Sequence, residues 1–329
     1  MNTNIQKQTT NVYDCFTFFN ELELLEIRLN ELNSVVDKFV LVEALKTHQG
    51  KEKPLYYEEN KQKFKEFHDK VIHIIVDFPP DDVLDNLDII FSLGDFGLSV
   101  NQQRTEYLTQ IALSSFSNFN IQKINAQDSF ERLAWKREHY QRNMIMDGLN
   151  CEPDDVVIIS DIDEIPRAGK ILAYKDKPGI KIFKQKMYYF YLNYENRLNY
   201  RVGDSIIWHG SIMTKYKNIT LPQAMRVLVK MPDNKPPQLD FVDFIENGGW
   251  HFSYLGGEER IRTKLQSFCH VEYNNNSFNN EEVLSKFIDE GVTFFDKTQL
   301  VCVPIDDSFP AYLRDNIDKF PHLICKNYY

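Results

Sequence analysis

The sequence predicts an α/β protein with a mixed central sheet and helices on both faces. Strand-like and helix-like segments alternate along the first half of the chain, which favours parallel strands joined by helical crossovers. Four consecutive β-branched residues, Val156 to Ile159, are typical of a strand buried on both faces of such a sheet. Beyond Pro166, alternating aromatic segments are typical of antiparallel strands. A chain of 329 residues can bury a core of this size.

The first two predicted elements are a strand and a helix. Val12 to Phe19 is predicted to form the strand. Asn20 and Glu23 have the spacing of a capping box, which predicts that the helix is capped by Asn20. One face of this helix carries leucines at helical spacing, namely Leu22, Leu25, Leu29 and Leu32.

Two more strands follow in the first half. They are predicted at residues 35–44 and 71–76, with a charged helix at residues 58–68 between them. The polar, basic loop at residues 46–53 follows a strand. In a parallel sheet it therefore lies at the same edge as the other strand ends.

A long helix is predicted directly before the β-branched strand. It covers residues 129–149 and ends near Gly148. Between residues 79 and 129 there are only scattered helical signals, around residues 103–113, and no element is predicted there.

The second half is predicted to be more irregular. Aromatic and polar side chains alternate over residues 180–194, which predicts an antiparallel strand, and residues 205–215 are predicted to pair with it. Residues 232–237 and 274–280 are predicted to be loops, the first of them a flap. The tail, residues 307–329, is expected to pack back onto the body of the protein.

Charge and cysteine content exclude several classes of protein. The net charge of −10 and the pI near 5.4 argue against a nucleic-acid binder, which needs a basic face. The five cysteines are scattered without metal-ligand spacing, so they are predicted to be reduced thiols. The first eleven residues contain no apolar segment. We therefore expect no signal peptide, no membrane anchor and a soluble cytoplasmic protein.

A cluster of carboxylates follows the β-branched strand. Asp161, Asp163 and Glu164 lie within four residues, and Pro166 is predicted to end the strand. The carboxyl end of a central strand is where open α/β sheets bind ligands. Clustered carboxylates repel each other unless a cation neutralises them, and hard oxygen ligands suit Mn²⁺ or Mg²⁺ shared with a phosphate. The alternative is a set of surface acids capping the helix after Pro166.

Two histidines are candidate metal ligands. His251 lies in the run GGWHFS, whose glycines permit close approach of a ligand, and imidazole binds manganese or zinc well. The simpler alternative is a packed or surface histidine. His270, with Glu272 two residues later, is the competing candidate for this ligand position.

The long helix carries polar residues on one face. Trp135, Glu138 and Arg142 have i, i+3 and i+7 spacing. Glu138 and Arg142 could form only a local ion pair. Alternatively, Arg142 and Asn143 point toward a diphosphate, for which arginine is a natural ligand.

The basic loop after the second strand is a second candidate phosphate site. It contains Thr47, His48 and Lys51. It lacks the spacing of a P-loop, so a nucleoside triphosphatase is not predicted.

Five segments, in order along nearly the whole chain, resemble glycosyltransferase family 17. VYDCFTFFNELELLEIRLNEL and VDKFVLVEALKTHQGKEKPL resemble its first two blocks. WKREHYQRN, IISDIDEIPR and GGWHFSYLGG resemble the following three. This is the family of the bisecting β-1,4-mannosyl-glycoprotein N-acetylglucosaminyltransferase, and the chain looks like a compact microbial or viral member.

The resemblance implies a single GT-A type nucleotide-diphospho-sugar transferase domain over residues 1–329. Residues 11–167 would then form the nucleotide-sugar-binding half, and residues 168–329 the acceptor-binding half and tail. It also implies a UDP-sugar donor, with UDP-GlcNAc expected, a divalent metal (Mn²⁺ or Mg²⁺), a glycan acceptor and inversion at the anomeric carbon.

The resemblance also implies roles for individual residues. The acidic motif at Asp161, Asp163 and Glu164 corresponds to the family's metal motif, and His251 to the histidine of its Gly-Trp-His block. Glu43, Arg137, Arg142 and Asn143 fall in the family's donor-binding blocks. From their own positions in the sequence, donor binding is also expected of Thr47, His48 and Lys51 of the basic loop, and of Asp161 and Trp250.

An inverting transfer needs a carboxylate that takes the proton of the acceptor hydroxyl. Asp243 and Glu246, just before the Gly-Gly-Trp-His segment, are the candidates, while Asp163 is expected to hold the metal on the diphosphate. Stacking on the acceptor sugar is expected from aromatic residues, namely Trp250, Tyr188 and Tyr189.

Two other functions use similar sequence features. One is a non-catalytic sugar-binding protein on the same fold. The other is a metal phosphohydrolase of the haloacid dehalogenase type, which also has Asp-x-Asp after a strand. That type usually places the motif near the first strand with Thr or Val soon after it, whereas here Ile165 and Pro166 follow at about the fourth strand.

Overall fold

A mixed β-sheet forms the centre of the protein. The computed structural model describes residues 10–87, 127–198, 204–230 and 240–326. The helical signals at residues 103–113 and the loop at residues 232–237 lie outside the described residues. Ten strands form the sheet within them: β1 (Val12–Phe18), β2 (Lys38–Ala44), β3 (Val71–Val76), β4 (Val156–Asp161), β5 (Glu164–Pro166), β6 (Ile180–Tyr189), β7 (Tyr194–Arg197), β8 (Ile207–Lys215), β9 (Val242–Ser253) and β10 (Gln299–Cys302).

One half of the sheet is parallel. The strand order is β10-β7-β6-β8-β4-β1-β2-β3, with β9 beside β6 and β5 beside β9. Strands β1, β2, β3 and β4 pair in parallel. The residues of β4 from Val156 to Ser160 are all buried, as expected for a strand covered on both faces. The prediction of an α/β sheet with a central strand at residues 156–159 is confirmed.

The other half of the sheet is largely antiparallel. Strand β8 pairs antiparallel with both β4 and β6, which confirms the predicted pairing of residues 180–194 with 205–215. Strand β9 instead runs parallel to β6. The sheet is therefore mixed, and β4 lies where its parallel and antiparallel halves meet.

Helices cover both faces of this sheet. The α-helices of the described ranges are α1 (Leu22–Leu32), α2 (Tyr56–Asn60), α3 (Asp81–Asn86), α4 (Ser129–Asn143), α5 (Ala168–Tyr174), α6 (Pro222–Val227), α7 (Gly257–Leu265), α8 (Glu281–Glu290) and α9 (Ala311–Asp315). Not one of these is long and apolar enough to cross a membrane.

The predicted helices differ from the observed ones mainly at their ends. The helix predicted at residues 58–68 is α2 followed by a 3₁₀ segment, Lys61–Phe67, with a kink at Phe64. The long helix predicted at residues 129–149 is α4 followed by a 3₁₀ turn at Met144–Gly148. In both cases a tighter turn replaces the end of an α-helix.

The predicted capping box at the start of α1 is wrong. Glu21, not Asn20, is the N-cap residue, and its side chain makes no bond to the helix. Its Oε2 atom instead accepts hydrogen bonds from the backbone N–H groups of Phe19 and Asn20, at 3.2 and 3.0 Å. The carboxylate therefore closes the loop between β1 and α1.

Two hydrophobic clusters fill the space on either side of the sheet. The cluster on one side includes the leucine face of α1, where Leu25, Leu29 and Leu32 are fully buried. The tail packs into the same cluster through Phe309 and Phe320, among others, as predicted. All five cysteines are free thiols, which is also as predicted.

The carboxylate motif lies in the turn that follows β4. Ile162 and Asp163 form this turn, and the chain then enters the short strand β5, which pairs antiparallel with β9. The ladder places Glu164 opposite His251 and Pro166 opposite Gly249. Pro166 was predicted to stop the strand, but it is instead the last residue of β5.

Candidate active site

A cavity of about 570 Å³ opens at the carboxyl ends of β1, β2 and β4. This volume is within the range of small-molecule sites. Its described lining contains equal numbers of formally charged acids and bases. The acids are Glu21, Glu138, Asp161, Asp163 and Glu164; the bases are Lys46, Lys53, Arg142, Arg226 and Lys264.

A buried arginine holds the carboxylate turn from behind. Arg28 of α1 is fully buried and makes a bidentate ion pair with Asp14 of β1, at 2.8 and 2.7 Å. Its Nη2 also donates to Ser160 Oγ at 2.5 Å. Its Nη1 donates to the carbonyls of the turn, those of Asp161, Ile162 and Glu164, at 3.0, 3.3 and 2.9 Å. This guanidinium therefore fixes the backbone from which the three acidic side chains project.

Asp161 faces two arginines across the cavity wall. Its Oδ1 accepts hydrogen bonds from Arg142 at 3.0 Å and from Thr17 at 3.1 Å, and its Oδ2 lies 3.4 Å from Arg226. Burial works to raise the pKa of Asp161, but the two guanidinium groups outweigh it and hold the pKa well below its usual range. Asp161 is therefore ionised at neutral pH.

Arg142 makes two ion pairs on the cavity wall. It forms the local ion pair with Glu138 at 2.7 Å, and it also reaches the acidic motif at Asp161. Burial works to raise the pKa of Glu138, but Arg142 and two histidines lower it to about 2. Asn143 next to it points elsewhere, since its Oδ1 accepts from the Gln223 backbone N–H at 2.9 Å.

Glu164 is buried among donors. Its Oε1 accepts from Trp208 Nε1 at 2.6 Å and from Arg226 Nη2 at 2.7 Å, and its Oε2 accepts from the Asp161 backbone N–H at 3.1 Å. Both oxygens therefore have protein partners, so this carboxylate positions Arg226 and the turn.

Asp163 lies beside a lysine and a histidine. Its Oδ2 accepts from Lys264 Nζ at 3.0 Å, and its Oδ1 is 3.6 Å from His251 Nε2. Burial works to raise the pKa of Asp163, but Lys264 and His251 lower it well below its usual range. The other ring nitrogen of His251 is buried and has no hydrogen-bond partner among the described residues.

The residues of this turn fit a divalent cation only as a partial ligand set. No group of three or more His, Cys, Asp or Glu side chains within the described ranges is arranged to hold a metal ion. Mg²⁺-type sites commonly use one or two protein carboxylates and take further ligands from phosphate and water. Asp163 and His251 are adjacent on the cavity wall and fit such a site, whereas the oxygens of Asp161 and Glu164 face arginines.

The structure places only part of the predicted phosphate loop at the cavity. Thr47 and His48 line it, together with Lys46. Lys51 is exposed and does not line it. Arg137 contacts the loop from behind, since its Nη1 donates to the His48 carbonyl at 2.9 Å.

Two more predicted donor-binding residues lie in the interior. Glu43 is fully buried, and its carboxylate pairs with Lys53 at 3.3 Å and with His73 at 3.1 Å. Trp250 is 1% exposed, and its Nε1 donates to the Ser308 carbonyl at 3.0 Å. Neither side chain lines the cavity.

The predicted bases Asp243 and Glu246 lie away from the cavity. Their carboxylates pair with Lys181 at 2.9 Å and Lys184 at 2.7 Å, and neither lines the cavity. Both residues are in the first half of β9, whereas His251 is in its second half. A strand advances about 3.3 Å per residue, so closeness in sequence becomes separation along the strand.

The aromatic residues alternate between cavity and core. Tyr189 lines the cavity, whereas Tyr188 is buried in the hydrophobic cluster with Trp250.

Three functional side chains were not predicted, namely Trp208, Arg226 and Lys264. No motif surrounds them in the sequence, and only the fold brings them to the carboxylates.

The sequence is similar to that of mammalian transferases along nearly its full length. It is 25% identical over 342 residues to the beta-1,4-mannosyl-glycoprotein 4-beta-N-acetylglucosaminyltransferase of Rattus norvegicus. The corresponding values for the Homo sapiens and Mus musculus proteins of the same name are 25% over 338 residues and 24% over 342 residues. These alignments cover 94–95% of this chain and 54% of each relative. The chain thus spans about half the length of the curated relatives it matches.

The similarity to solved structures is weak. Crystal structures of HddC from Yersinia pseudotuberculosis, one of them complexed with GMP-PN, are 11% and 9% identical to this chain, with TM-scores of 0.28 and 0.29. The matches cover 75% and 72% of this chain and 91% of each HddC chain. These scores are too low to carry an argument.

Most of the chain matches the sequence model of a known protein family. The model of glycosyltransferase family 17 matches residues 2–82 and 96–300, which include β1, the carboxylate turn and the Gly-Trp-His segment. The chain therefore belongs to glycosyltransferase family 17.

Proposed function

We propose that this protein transfers N-acetylglucosamine from UDP-GlcNAc to a mannose residue of a glycan, with inversion at the anomeric carbon. The observation that carries the proposal is the pairing of Asp163 with His251 on the wall of a cavity that also presents Arg142, Arg226 and Lys264. The donor sugar and the acceptor class come from the names of the related transferases.

The donor diphosphate is placed at the carboxylate turn. Open α/β sheets bind ligands at the carboxyl ends of their strands, and the cavity has this position. Asp161 and Glu164 orient the guanidinium groups of Arg142 and Arg226, whose fixed positive charge stabilises negative charge that develops on a leaving diphosphate. We infer that residues 11–167 provide the acidic turn and Arg142 of a GT-A type donor site, and that Arg226 of the second half completes it.

Asp163 and His251 are the proposed cation ligands. When bound, Mn²⁺ or Mg²⁺ would act as a Lewis acid on the diphosphate. Lys264 Nζ is 3.0 Å from Asp163 Oδ2 and helps to keep this carboxylate ionised. A divalent cation would compete with this ammonium group for the carboxylate.

Residues 168–329 are proposed to bind the acceptor. Tyr189, Tyr254 and Tyr273 come from this part of the chain and line the cavity. Aromatic rings combine an apolar face with a polar edge, and this suits the face of a sugar ring.

The test combines donor binding with product detection. A ligand that binds only the folded state at 100 times its Kd stabilises the protein by about 2.7 kcal/mol, so thermal shifts can rank UDP-GlcNAc, other UDP-sugars and GDP-mannose in the presence of Mn²⁺. Mass spectrometry then follows a glycopeptide that presents a β-1,4-linked mannose. We expect a shift with UDP-GlcNAc and a glycopeptide that has gained one N-acetylhexosamine.

Each of the other outcomes would indicate a different function for this protein. A UDP-sugar shift without any glycosylated product would indicate a sugar-binding protein. Release of phosphate from a generic phosphate ester would indicate a phosphohydrolase. The transferase proposal would be refuted by the absence of a shift with every UDP-sugar together with the absence of product.

A further inference from the structure

We propose that His270, oriented by Glu272, is the general base that removes the proton from the acceptor hydroxyl. The inference rests on the proposed transfer reaction, which requires a base near the acceptor. The carboxylates expected for this role, Asp243 and Glu246, do not line the cavity.

Five carboxylates are in the described lining of the cavity, and most of them are poorly suited to accept this proton. Four of them are ion-paired: Asp161, Asp163, Glu138 and Glu164. The first three have lowered pKa values, which makes them weak bases. Burial raises the pKa of Glu21, but its Oε2 accepts two backbone hydrogen bonds that hold this carboxylate in its own loop.

Four histidines line the cavity, and they differ in what their ring nitrogens contact. His48 is hydrogen-bonded through Nε2 to Gln141 at 2.8 Å. His139 is 2% exposed, and burial lowers its pKa to about 4. His251 faces Asp163 through Nε2. The side chain of His270, by contrast, is 34% exposed.

His270 and Glu272 form a dyad of the kind that activates a base. Nδ1 of His270 is 3.0 Å from Oε1 of Glu272. An ionised carboxylate only accepts hydrogen bonds, so it selects the tautomer with the proton on Nδ1 and a lone pair on Nε2. Nε2 makes no hydrogen bond to any residue in the described ranges.

Aromatic rings fix the orientation of this imidazole. The rings of Trp135, Phe268 and Tyr273 lie 4.6, 5.3 and 5.7 Å from it, centroid to centroid. All three also line the cavity, so His270 is part of an apolar wall that could contact a sugar face. A base that is already oriented loses little conformational entropy when the acceptor binds.

Tyr254 connects this wall to the acidic turn. Its ring lies 4.9 Å from Lys264 Nζ, the group that pairs with Asp163. Burial raises the pKa of the Tyr254 phenol, and Cys269, Asp163 and Glu272 add to the increase, so its hydroxyl is within electrostatic reach of both sites. The dyad and the proposed diphosphate site therefore border the same space.

The proposed step conserves atoms and charge. The acceptor O–H bond breaks and its proton moves to Nε2 of His270, while the oxygen electron pair forms the bond to the anomeric carbon. The bond from that carbon to the diphosphate oxygen breaks, and its electron pair leaves with UDP. Glu272 stabilises the imidazolium until the proton passes to solvent.

The test compares three variants with the wild-type protein. They are His270→Ala, His270→Gln and Glu272→Gln, assayed with UDP-GlcNAc, Mn²⁺ and the β-1,4-mannosyl glycopeptide. A general base contributes about 10²–10⁴-fold, so kcat should fall by this factor in both His270 variants, with the acceptor KM within about threefold of wild type. Glu272→Gln removes only the orienting charge and should lower kcat by at least about tenfold.

A matched control is available on the surface. His322 forms a similar pair with Glu23, at 3.2 Å, and does not line the cavity. His322→Ala should retain the wild-type kcat. The thermal shift produced by UDP-GlcNAc with Mn²⁺ should be unchanged in every variant, which shows that folding and donor binding are intact.

Three results with the variants would overturn the assignment of His270 as the base. Near-wild-type kcat in His270→Gln would show that the residue only accepts a hydrogen bond. A raised acceptor KM with normal kcat in His270→Ala would show a binding role, and loss of the Mn²⁺-dependent shift would indicate a metal ligand. A wild-type protein that shows neither donor binding nor product would refute the transferase itself, and the base with it.

Discussion

Replacing Arg28 with methionine should separate the stability of this protein from the geometry of its active site. The guanidinium group is fully buried, and it binds both the Asp14 carboxylate and three carbonyls of the carboxylate turn. Arg28→Met keeps much of the apolar stem but removes every one of these donors. It therefore changes the support of the turn without changing a residue that lines the cavity.

The loss of stability in Arg28→Met comes from Asp14, which stays buried after its partner is removed. Removing one member of a buried ion pair costs about 3–5 kcal/mol, because the Asp14 carboxylate stays buried without its counterion. This is a large part of a typical free energy of unfolding of about 5–15 kcal/mol. At about 2 °C per kcal/mol for a chain of this size, the Tm should fall by about 6–10 °C.

The double variant Asp14→Leu/Arg28→Met makes the prediction specific. Replacing both members of a buried ion pair with apolar groups is often neutral, so the loss should shrink to about 1–3 kcal/mol, the cost of buried carbonyls without donors. The turn remains unsupported, and a misplacement of about 1 Å can lower a rate about 10²-fold. We therefore expect the free energy of unfolding of the double variant to recover to within about 1–3 kcal/mol of the wild-type value, while its transfer rate stays about 100-fold below wild type.

Urea unfolding and the glycopeptide transfer assay measure these two effects. Arg132→Met is the matched control, since Arg132 makes a bidentate pair with Asp85 at 2.6 and 2.7 Å but is partly exposed and outside the cavity. It should lose no more than about 1 kcal/mol and should keep its activity. Full transfer by the double variant would show that Arg28 does not position the turn. A smaller loss of unfolding free energy in Arg28→Met than in Arg132→Met would contradict the stabilising role of the buried ion pair.

Three further predictions concern the cavity. Asp163→Ala should abolish transfer in a folded protein, while Asp154→Ala, in the exposed turn before β4, should not; equal rates in both would remove the proposed cation site. EDTA should abolish transfer and Mn²⁺ should restore it, whereas full activity in chelator would show a metal-free reaction. Burial lowers the pKa of His139 to about 4, so at this residue the unfolded state binds more protons below pH 6.5, and the contribution of His139 to the free energy of unfolding should fall by about 2 kcal/mol from pH 7 to pH 5. His139→Gln should flatten this part of a urea-unfolding series, and an equal slope in both proteins would contradict the assignment.

Much of the sheet could be predicted because its signals are local. The run at Val156 to Ile159 and the strand at Val71–Val76 both consist almost entirely of adjacent β-branched residues, which favour an extended backbone. The end of a helix depends on competing interactions instead. At Glu21, the carboxylate bonds to the preceding loop rather than to the helix, and sequence spacing alone cannot distinguish these two choices.

The acidic side of the site and Arg142 could be predicted, but the cations Arg226 and Lys264 could not. The acidic residues form a recognisable motif because they lie within four positions of each other, namely Asp161, Asp163 and Glu164. Their partners come from distant segments, since Arg226 is 62 residues from Glu164 and Lys264 is 101 residues from Asp163. Arg226 is in α6, after β8, and Lys264 is in α7, after β9. Only the packing of these helices next to the carboxylate turn brings the two cations to it.

The geometry of a strand explains why the candidate bases chosen from proximity in sequence do not line the cavity. Asp243 and Glu246 precede His251 by a few residues, but an extended strand carries them away from it. His270 lies farther along the chain, yet the turn after α7 returns it to the cavity beside Trp135, where Glu272 is hydrogen-bonded to it. Distance along the chain is therefore a poor guide to distance in a site that is built from strand ends.

The charge balance of the cavity has a consequence for how the proposed donor binds. Each carboxylate of the acidic turn already has a basic partner, and the described lining holds five acids and five bases. A diphosphate therefore enters a site with little net positive charge, and a divalent cation that binds with it supplies the missing charge. By linkage, the donor must then strengthen the binding of the cation as much as the cation strengthens that of the donor. We accordingly expect Mn²⁺ to bind weakly to the free protein and tightly with UDP. Calorimetric titrations with and without UDP measure both affinities, and equal Mn²⁺ affinity in the two would mean that the protein alone completes the cation site.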